Sequence, residues 1–199
     1  PPNQTEAAPP LLMLLHGFGS NEQDLMGLAP YLDDRYYIVS TRAIFDLSEL
    51  SGMSESYAWY YLYGEPGNLV QDDETLKYSV EVVTKLITDL PERLGTDPQR
   101  VYLLGFSQGA VVSLNVALSA PHLVAGTIAI SGYLDENIQE QVQTNQLENL
   151  SVMVMHGLED ELIPVEGSRT IRAYLETTPV NLSYEEYQVG HGIHADALP

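Results

Sequence analysis

The sequence predicts an α/β fold: a mainly parallel, twisted sheet with helices on both faces. Three observations carry that expectation. Six short apolar runs recur along the 199 residues, and helical patterns separate them. Five of the six runs are nearly continuous in apolar residues, as strands buried on both faces require. Strands that alternate with helices imply right-handed crossovers, and hence parallel pairing. The length suits a single domain over residues 1–199, and no repeat, low-complexity block or linker divides it.

The elements follow in chain order. Pro1 to Pro10 is a polar, proline-rich lead-in, with neither the basic nor the apolar region of a signal peptide. Leu11–Leu15 reads as the first strand, Glu22–Tyr31 as a helix and Tyr36–Ser40 as the second strand. Residues 44–70 form a long loop dense in Met53, Tyr57, Trp59, Tyr60, Tyr61 and Tyr63. Such loops serve as lids or acyl-binding walls, or their rings simply cap the core edge. On the first reading Trp59 and Tyr60 are the candidates for substrate contact.

Next, Leu76, Val80, Val83, Ile87, Leu90 and Leu94 recur at alternating steps of four and three, which lines one face of a helix. Asp72, Asp73 and Glu74 stand at its N-terminal end, where the helix dipole favours negative charge. Gly95 and Pro98 mark its exit, with Pro91 expected to bend or shorten the last turn. Val101–Phe106 is a strand, Gln108–Ser119 a helix, Val124–Ile130 and Ser151–Met155 strands, and Glu166–Glu176 a helix. The last run, Leu182–Gln188, is more polar and is expected at a sheet edge.

Charge and composition narrow the function classes. There are 28 acidic residues against 8 basic, a formal charge of −20. Such a surface repels phosphate backbones and anionic membrane faces, so nucleic acid is not an expected partner. Solubility explains the acidity most simply; adaptation to high salt is the alternative. The absence of cysteine removes disulfides, thiol chemistry and thiolate metal sites. No stretch approaches the ~20 apolar residues of a membrane span. Stable membrane insertion is therefore not expected, and the expected location is cytoplasmic.

The chemistry begins at Gly105-Phe106-Ser107-Gln108-Gly109. This G-x-S-x-G follows one predicted strand and opens a predicted helix, the context in which the motif holds a nucleophile on a strained turn. Glycines flank it because side chains there would collide with neighbouring backbone. The pattern predicts the α/β-hydrolase fold, with Ser107 as the nucleophile. A serine needs a base, and the base an orienting acid, in the chain order Ser, Asp or Glu, His. His191 lies in a glycine-flanked loop after the last strand and is favoured as the base. His194, at the expected start of a closing helix, is its rival. Asp160 lies in the loop after Ser151–Met155, beside Glu159 and Glu161, which spacing alone does not exclude. Two backbone N–H groups should receive the oxyanion. Gln108 supplies one, and the loop His16-Gly17-Phe18-Gly19 supplies the other, through Phe18. His16 and His156 each close a strand in an HG pair and read as structural; His122 reads as a loop residue. No metal-ligand spacing or phosphate loop appears, so no metal and no cofactor are expected.

The sequence resembles the phospholipase/carboxylesterase family, which includes the acyl-protein thioesterases. The resemblance rests on Leu15-His16-Gly17-Phe18-Gly19-Ser20-Asn21-Glu22-Gln23-Asp24-Leu25, on Arg100 to Gly109, on Ser131-Gly132, on His156-Gly157 and Asp160 through Pro164-Val165-Glu166, and on Gly190-His191. It implies triad roles for Ser107, Asp160 and His191, and oxyanion roles for the Phe18 and Gln108 N–H groups. Thr41-Arg42-Ala43 with Ala58-Trp59-Tyr60 looks closer to the bacterial carboxylesterase branch. The eukaryotic thioesterases resemble W-F-D where this chain has Trp59-Tyr60-Tyr61, which weighs against protein depalmitoylation. Relative to the family the sequence looks short at both ends, lacking an opening hairpin and most of a closing helix.

The expected activity is hydrolysis of short- to medium-chain carboxylic esters through an acyl-enzyme, with a small acyl ester as the partner. Acyl-thioesterase or lysophospholipase action on the same triad is the alternative. A non-catalytic binding protein on the same scaffold is the reading from a different class. Self-association into a homodimer through the aromatic loop is a further expectation.

Overall fold

The computed structural model describes residues 7–52, 54–65, 68–135, 137–138, 142 and 144–194. Met53 of the aromatic loop and residues 1–6 of the lead-in lie outside them. In chain order the strands are β1 (Leu11–Leu15), β2 (Tyr37–Thr41), β3 (Phe45–Asp46), β4 (Tyr57–Ala58), β5 (Leu62–Glu65), β6 (Asn68–Gln71), β7 (Val101–Phe106), β8 (Gly126–Ile130), β9 (Ser151–Gly157) and β10 (Asn181–Tyr187). The α-helices are α1 (Ser48–Ser51), α2 (Asp73–Leu94), α3 (Gln108–Ser119) and α4 (Glu166–Leu175).

Six strands form one parallel sheet in the order β10-β9-β8-β7-β1-β2. The chain builds β1 and β2 in one direction, then crosses back to lay β7 on the other side of β1. That reversal is the topological switch point, and in open α/β sheets ligands gather at the carboxyl ends of the strands beside it. The loops following β1 and β7, which carry Phe18 and Ser107, both open there.

β1 is buried along its whole length, because it pairs on both edges and is covered on both faces. β10 is an edge, as its polarity predicts. The expectation for Tyr36–Ser40 is corrected: β2 is the opposite edge and only half-buried, since among the described residues no strand pairs with its outer side. The predicted helix Glu22–Tyr31 is also corrected, to a 3-10 segment over Leu25–Tyr31. Pro30 removes a backbone donor there, Gly27 weakens helical preference, and no side chain caps the start. Long α2 forms as expected. Asp72 caps it by accepting from the Thr75 N–H at 2.8 Å, and Gly95 ends it at φ 70°, the left-handed region glycine favours. Pro91 does not shorten it, and the helix runs on to Leu94.

The two faces of the sheet are covered unequally. Leu11, Met13, Leu103, Val152 and Val154 pack with residues of α2, α3 and α4 into the larger core. On the opposite face, Leu12, Leu14, Leu104, Ile130 and Met155 meet Leu25, Leu28 and Leu32 of the 3-10 segment and its exit. Beyond Leu32 a trough of about 290 Å³ remains over Tyr36, Tyr102, Ile128 and Met153, toward the amino-terminal halves of the strands. Among the described residues no helix is long and apolar enough to cross a membrane.

The aromatic segment is not one loop. It folds into β3 paired with β4, then the hairpin of β5 with β6, with Tyr63 opposite Val70.

Candidate active site

Ser107 sits where β7 turns into α3, with φ 55° and ψ −119°. A non-glycine residue held at positive φ is strained, and here the strain lifts the hydroxyl off the sheet. The flanking glycines are obligatory on packing grounds. A Cβ on Gly105 would lie 2.1 Å from the Gly109 carbonyl oxygen, and one on Gly109 would lie 2.0 Å from that of Leu15. The turn is therefore pressed directly against the end of β1.

Three residues far apart in the chain meet at this turn. His191 Nε2 lies 3.0 Å from Ser107 Oγ, and His191 Nδ1 lies 2.7 Å from Asp160 Oδ2. The Asp160 carboxylate accepts only, so Nδ1 carries the ring proton of a neutral His191, and Nε2 presents its lone pair to the serine. Oδ1 of Asp160 accepts from the Leu162 N–H at 3.0 Å and the Ile163 N–H at 2.9 Å. Burial alone would raise the Asp160 pKa. The Ile163 N–H, the His191 ring and the Leu162 N–H outweigh it and hold the carboxyl below its ordinary value.

Glu159 and Glu161 are exposed, whereas Asp160 is buried. The loops that carry Asp160 and His191 are stitched together by main-chain bonds from Leu158 N–H to Tyr187 O at 2.8 Å and from Glu159 N–H to Val189 O at 3.0 Å. A Cβ on Gly157 would meet the Gly190 and Val189 carbonyl oxygens at 2.3 Å, so these loops approach backbone to backbone. His194 does not reach Ser107 in a helix start. Its ring stacks on Tyr187 at 5.1 Å, and the rest of the expected closing helix lies outside the described residues.

The loop that carries Phe18 packs beside Ser107: a Cβ on Gly17 would stand 3.3 Å from Ser107 Cβ. Gln108 opens α3, so its N–H has no acceptor within the helix. Among the described residues nothing accepts the Phe18 N–H. His16 is fully buried, with Nδ1 2.7 Å from Gly17 O and Nε2 3.0 Å from the Ala43 N–H. The Ala43 N–H must donate into Nε2, so Nδ1–H donates to Gly17 O. Burial lowers the His16 pKa against the raising influence of that carbonyl, and the ring is a neutral fixture. His156 is likewise buried, with Nε2 2.8 Å from Ile163 O and 3.3 Å from Asp160 Oδ2. His122 belongs to a short 3-10 turn away from the triad.

Trp59 and Tyr60 require correction. They are 1% and 0% exposed, so their rings belong to the core and offer no wall to a substrate. Burial pushes the Tyr60 phenol well up, and Tyr133, its hydrogen-bond partner at 2.8 Å, to about 12. Among the described residues, exposed apolar side chains on the loops that carry the site include Phe18, at 50%, and Leu162, at 75%. Sequence reasoning missed the Gln108 side chain, whose Oε1 accepts from the Trp59 N–H at 3.0 Å and whose Nε2 donates to Tyr60 O at 2.8 Å. Nothing local signals such a pairing across 49 residues. Among the described residues no group of three or more His, Asp or Glu is placed to hold a metal ion.

A family model described as phospholipase/carboxylesterase matches residues 2–198. The chain belongs to the phospholipase/carboxylesterase family. Similar members include acyl-protein thioesterase 1 of Kluyveromyces lactis, 26% identical over 183 residues, covering 87% of this chain and 79% of the yeast protein. Among solved structures, esterase PE8 superposes with a TM-score of 0.83 at 26% identity, covering 99% of this chain and 91% of PE8. The carboxylesterase of Bacillus cereus shares the fold with a TM-score of 0.79 at 19% identity, covering 96% of this chain and 86% of its own. Membership in the phospholipase/carboxylesterase family places the chain among esterases and thioesterases.

Proposed function

We propose that this chain is a serine carboxylesterase acting on short- to medium-chain carboxylic esters through an acyl-enzyme. The observation that carries the reading is the unbroken relay from Asp160 through His191 to Ser107, at 2.7 and 3.0 Å. In this reading Ser107 Oγ attacks the acyl carbonyl while His191 Nε2 takes its proton. The oxygen that becomes negative is received by the Phe18 and Gln108 N–H groups. The C–O bond to the alcohol then breaks, the alkoxide leaves with the proton from His191, and the acyl group stays on Ser107. Water, deprotonated by His191, releases the carboxylic acid and restores the serine. Asp160 keeps the proton on Nδ1 throughout and stabilises the imidazolium.

A short or medium acyl chain is supported by where the apolar surface lies. Phe18 and Leu162 project from loops next to the triad and are open to solvent. Such a surface rewards a few methylenes and gives a long chain little more to bury. Thioester hydrolysis is the second reading, favoured by the similarity to the yeast acyl-protein thioesterase.

The test is the initial rate on p-nitrophenyl esters from acetate to palmitate, and on thioesters of the same acyl chains, with wild type beside Ser107→Ala. The expected result is a Ser107-dependent rate that peaks at short to medium oxyesters. A peak at long chains, or a large preference for the thioester, moves the assignment to thioesterase or lysophospholipase.

A further inference from the structure

The fully buried Trp59 uses two of its three polar groups to bind the segments that carry the oxyanion donors, and the third to anchor itself to α2. Its indole Nε1–H donates to His16 O at 2.8 Å, on the loop that presents the Phe18 N–H. Its main-chain N–H donates to Gln108 Oε1 at 3.0 Å, on the residue that presents the other N–H. Its carbonyl accepts from Ser79 Oγ and so is anchored to α2. His16 extends the array by donating from Nδ1 to Gly17 O at 2.7 Å. That carbonyl belongs to the same planar peptide group as the Phe18 N–H, and in a trans peptide the two point opposite ways. Fixing the carbonyl toward His16 therefore aims the N–H away from it.

We propose that Trp59 is a positioning residue for catalysis, a buried strut that sets the separation of the Phe18 and Gln108 N–H donors. The proposal rests on the serine-esterase reading above. Its physical basis is that an oxyanion hole works only if both donors stand within hydrogen-bond reach of one oxygen before reaction. The Phe18 donor lies in the loop after β1, and the Gln108 donor on the first residue of α3, after β7. Backbone packing brings the two segments together where Gly109 meets Leu15, and Trp59 adds a hydrogen bond to each. Its burial shields the bonds from competing water, so their geometry persists.

The chain holds a single tryptophan, so global replacement by an isosteric analogue alters Trp59 alone. In the benzothiophene analogue, sulfur replaces the indole N–H while the ring shape stays. Protein carrying it is compared with wild type and with Trp59→Phe in three measurements. These are kcat/KM on p-nitrophenyl butyrate, affinity for a trifluoromethyl ketone that forms an oxyanion adduct with the serine, and affinity for the matched methyl ketone. Displacement by a fraction of an ångström to 1 Å predicts a loss of about 10- to 100-fold in kcat/KM. Trifluoromethyl-ketone affinity should weaken by a similar factor, while methyl-ketone affinity changes less than twofold. A merely structural tryptophan would lower stability and leave the ratio of the two ketone affinities unmoved; that outcome overturns the proposal. If Trp59→Phe does not fold, the analogue decides. Ser107→Ala runs in the same assay. Retained activity there sinks the serine reading itself, whereas an inactive Ser107→Ala beside an unaffected analogue sinks only the strut.

Discussion

Asp160→Asn probes the site most sharply, because its effect can be worked out atom by atom. Oδ1 accepts from two main-chain N–H groups, Leu162 at 3.0 Å and Ile163 at 2.9 Å. An asparagine must put its carbonyl oxygen there, since its NH₂ would face two donors. The NH₂ then replaces Oδ2, 2.7 Å from His191 Nδ1 and 3.3 Å from His156 Nε2. A donor opposite Nδ1 drives His191 into the other tautomer, with the proton on Nε2 pointing at Ser107. The base then cannot take the serine proton. Loss of the correct tautomer costs ~10⁴ in kcat in a serine triad, equivalent to about 5.5 kcal/mol of barrier. Flipping the amide restores nothing, because it moves the clash to Leu162 and Ile163. The assay is kcat on p-nitrophenyl butyrate, with circular dichroism to verify folding and Glu159→Gln and Glu161→Gln as controls. Activity of Asp160→Asn within tenfold of wild type, or an equal loss in either control, refutes the reasoning.

Other expectations concern packing, pH and substrate. Gly109→Ala puts a methyl group 2.0 Å from the Leu15 carbonyl oxygen. It should destabilise by about 3 kcal/mol, the upper range for overpacking, because backbone must move. Gly27→Ala meets nothing within 4 Å and should shift stability by no more than about 0.5 kcal/mol; urea midpoints read both. The lowered pKa of Asp160 fixes the sign of an acid effect. Its ionised form is favoured in the folded state, so its contribution is full above the unfolded carboxyl value near ~3.9 and fades as pH falls below it. Below ~3.9 the stability gap between wild type and Asp160→Asn should therefore narrow as Asp160 takes up its proton. A gap that widens over that acid range contradicts the assignment. Phe18→Ala keeps the main-chain N–H but removes exposed apolar surface, so butyrate should lose more rate than acetate in the ester series.

The strand–turn–helix around Ser107 was legible because its determinants are local. A buried run, two glycines that backbone contact forbids to be anything else, and a buried helix lie within nineteen consecutive residues, Val101 to Ser119. The meeting of Ser107, Asp160 and His191 could be anticipated because each follows a strand of one parallel sheet, and such strands end on the same side. What stayed hidden depended on partners distant in sequence. Tyr36–Ser40 looks as apolar as a central strand, and only the strand order makes it an edge. Trp59 and Tyr60 look alike as wall or core until the Gln108 side chain and His16 O are seen to hold them. The segment Glu22–Tyr31 departs from an α-helix for a local reason, since Gly27 and Pro30 within it both disfavour one.

If Ser107 is a nucleophile made reactive by His191, covalent labelling will show it. Wild type and His191→Ala are exposed to a serine-directed fluorophosphonate, and the adduct is located by peptide mass spectrometry. A single adduct on Ser107 is expected in the wild type, with labelling of His191→Ala slowed by orders of magnitude. An adduct on another serine, or none on a folded protein, would contradict it.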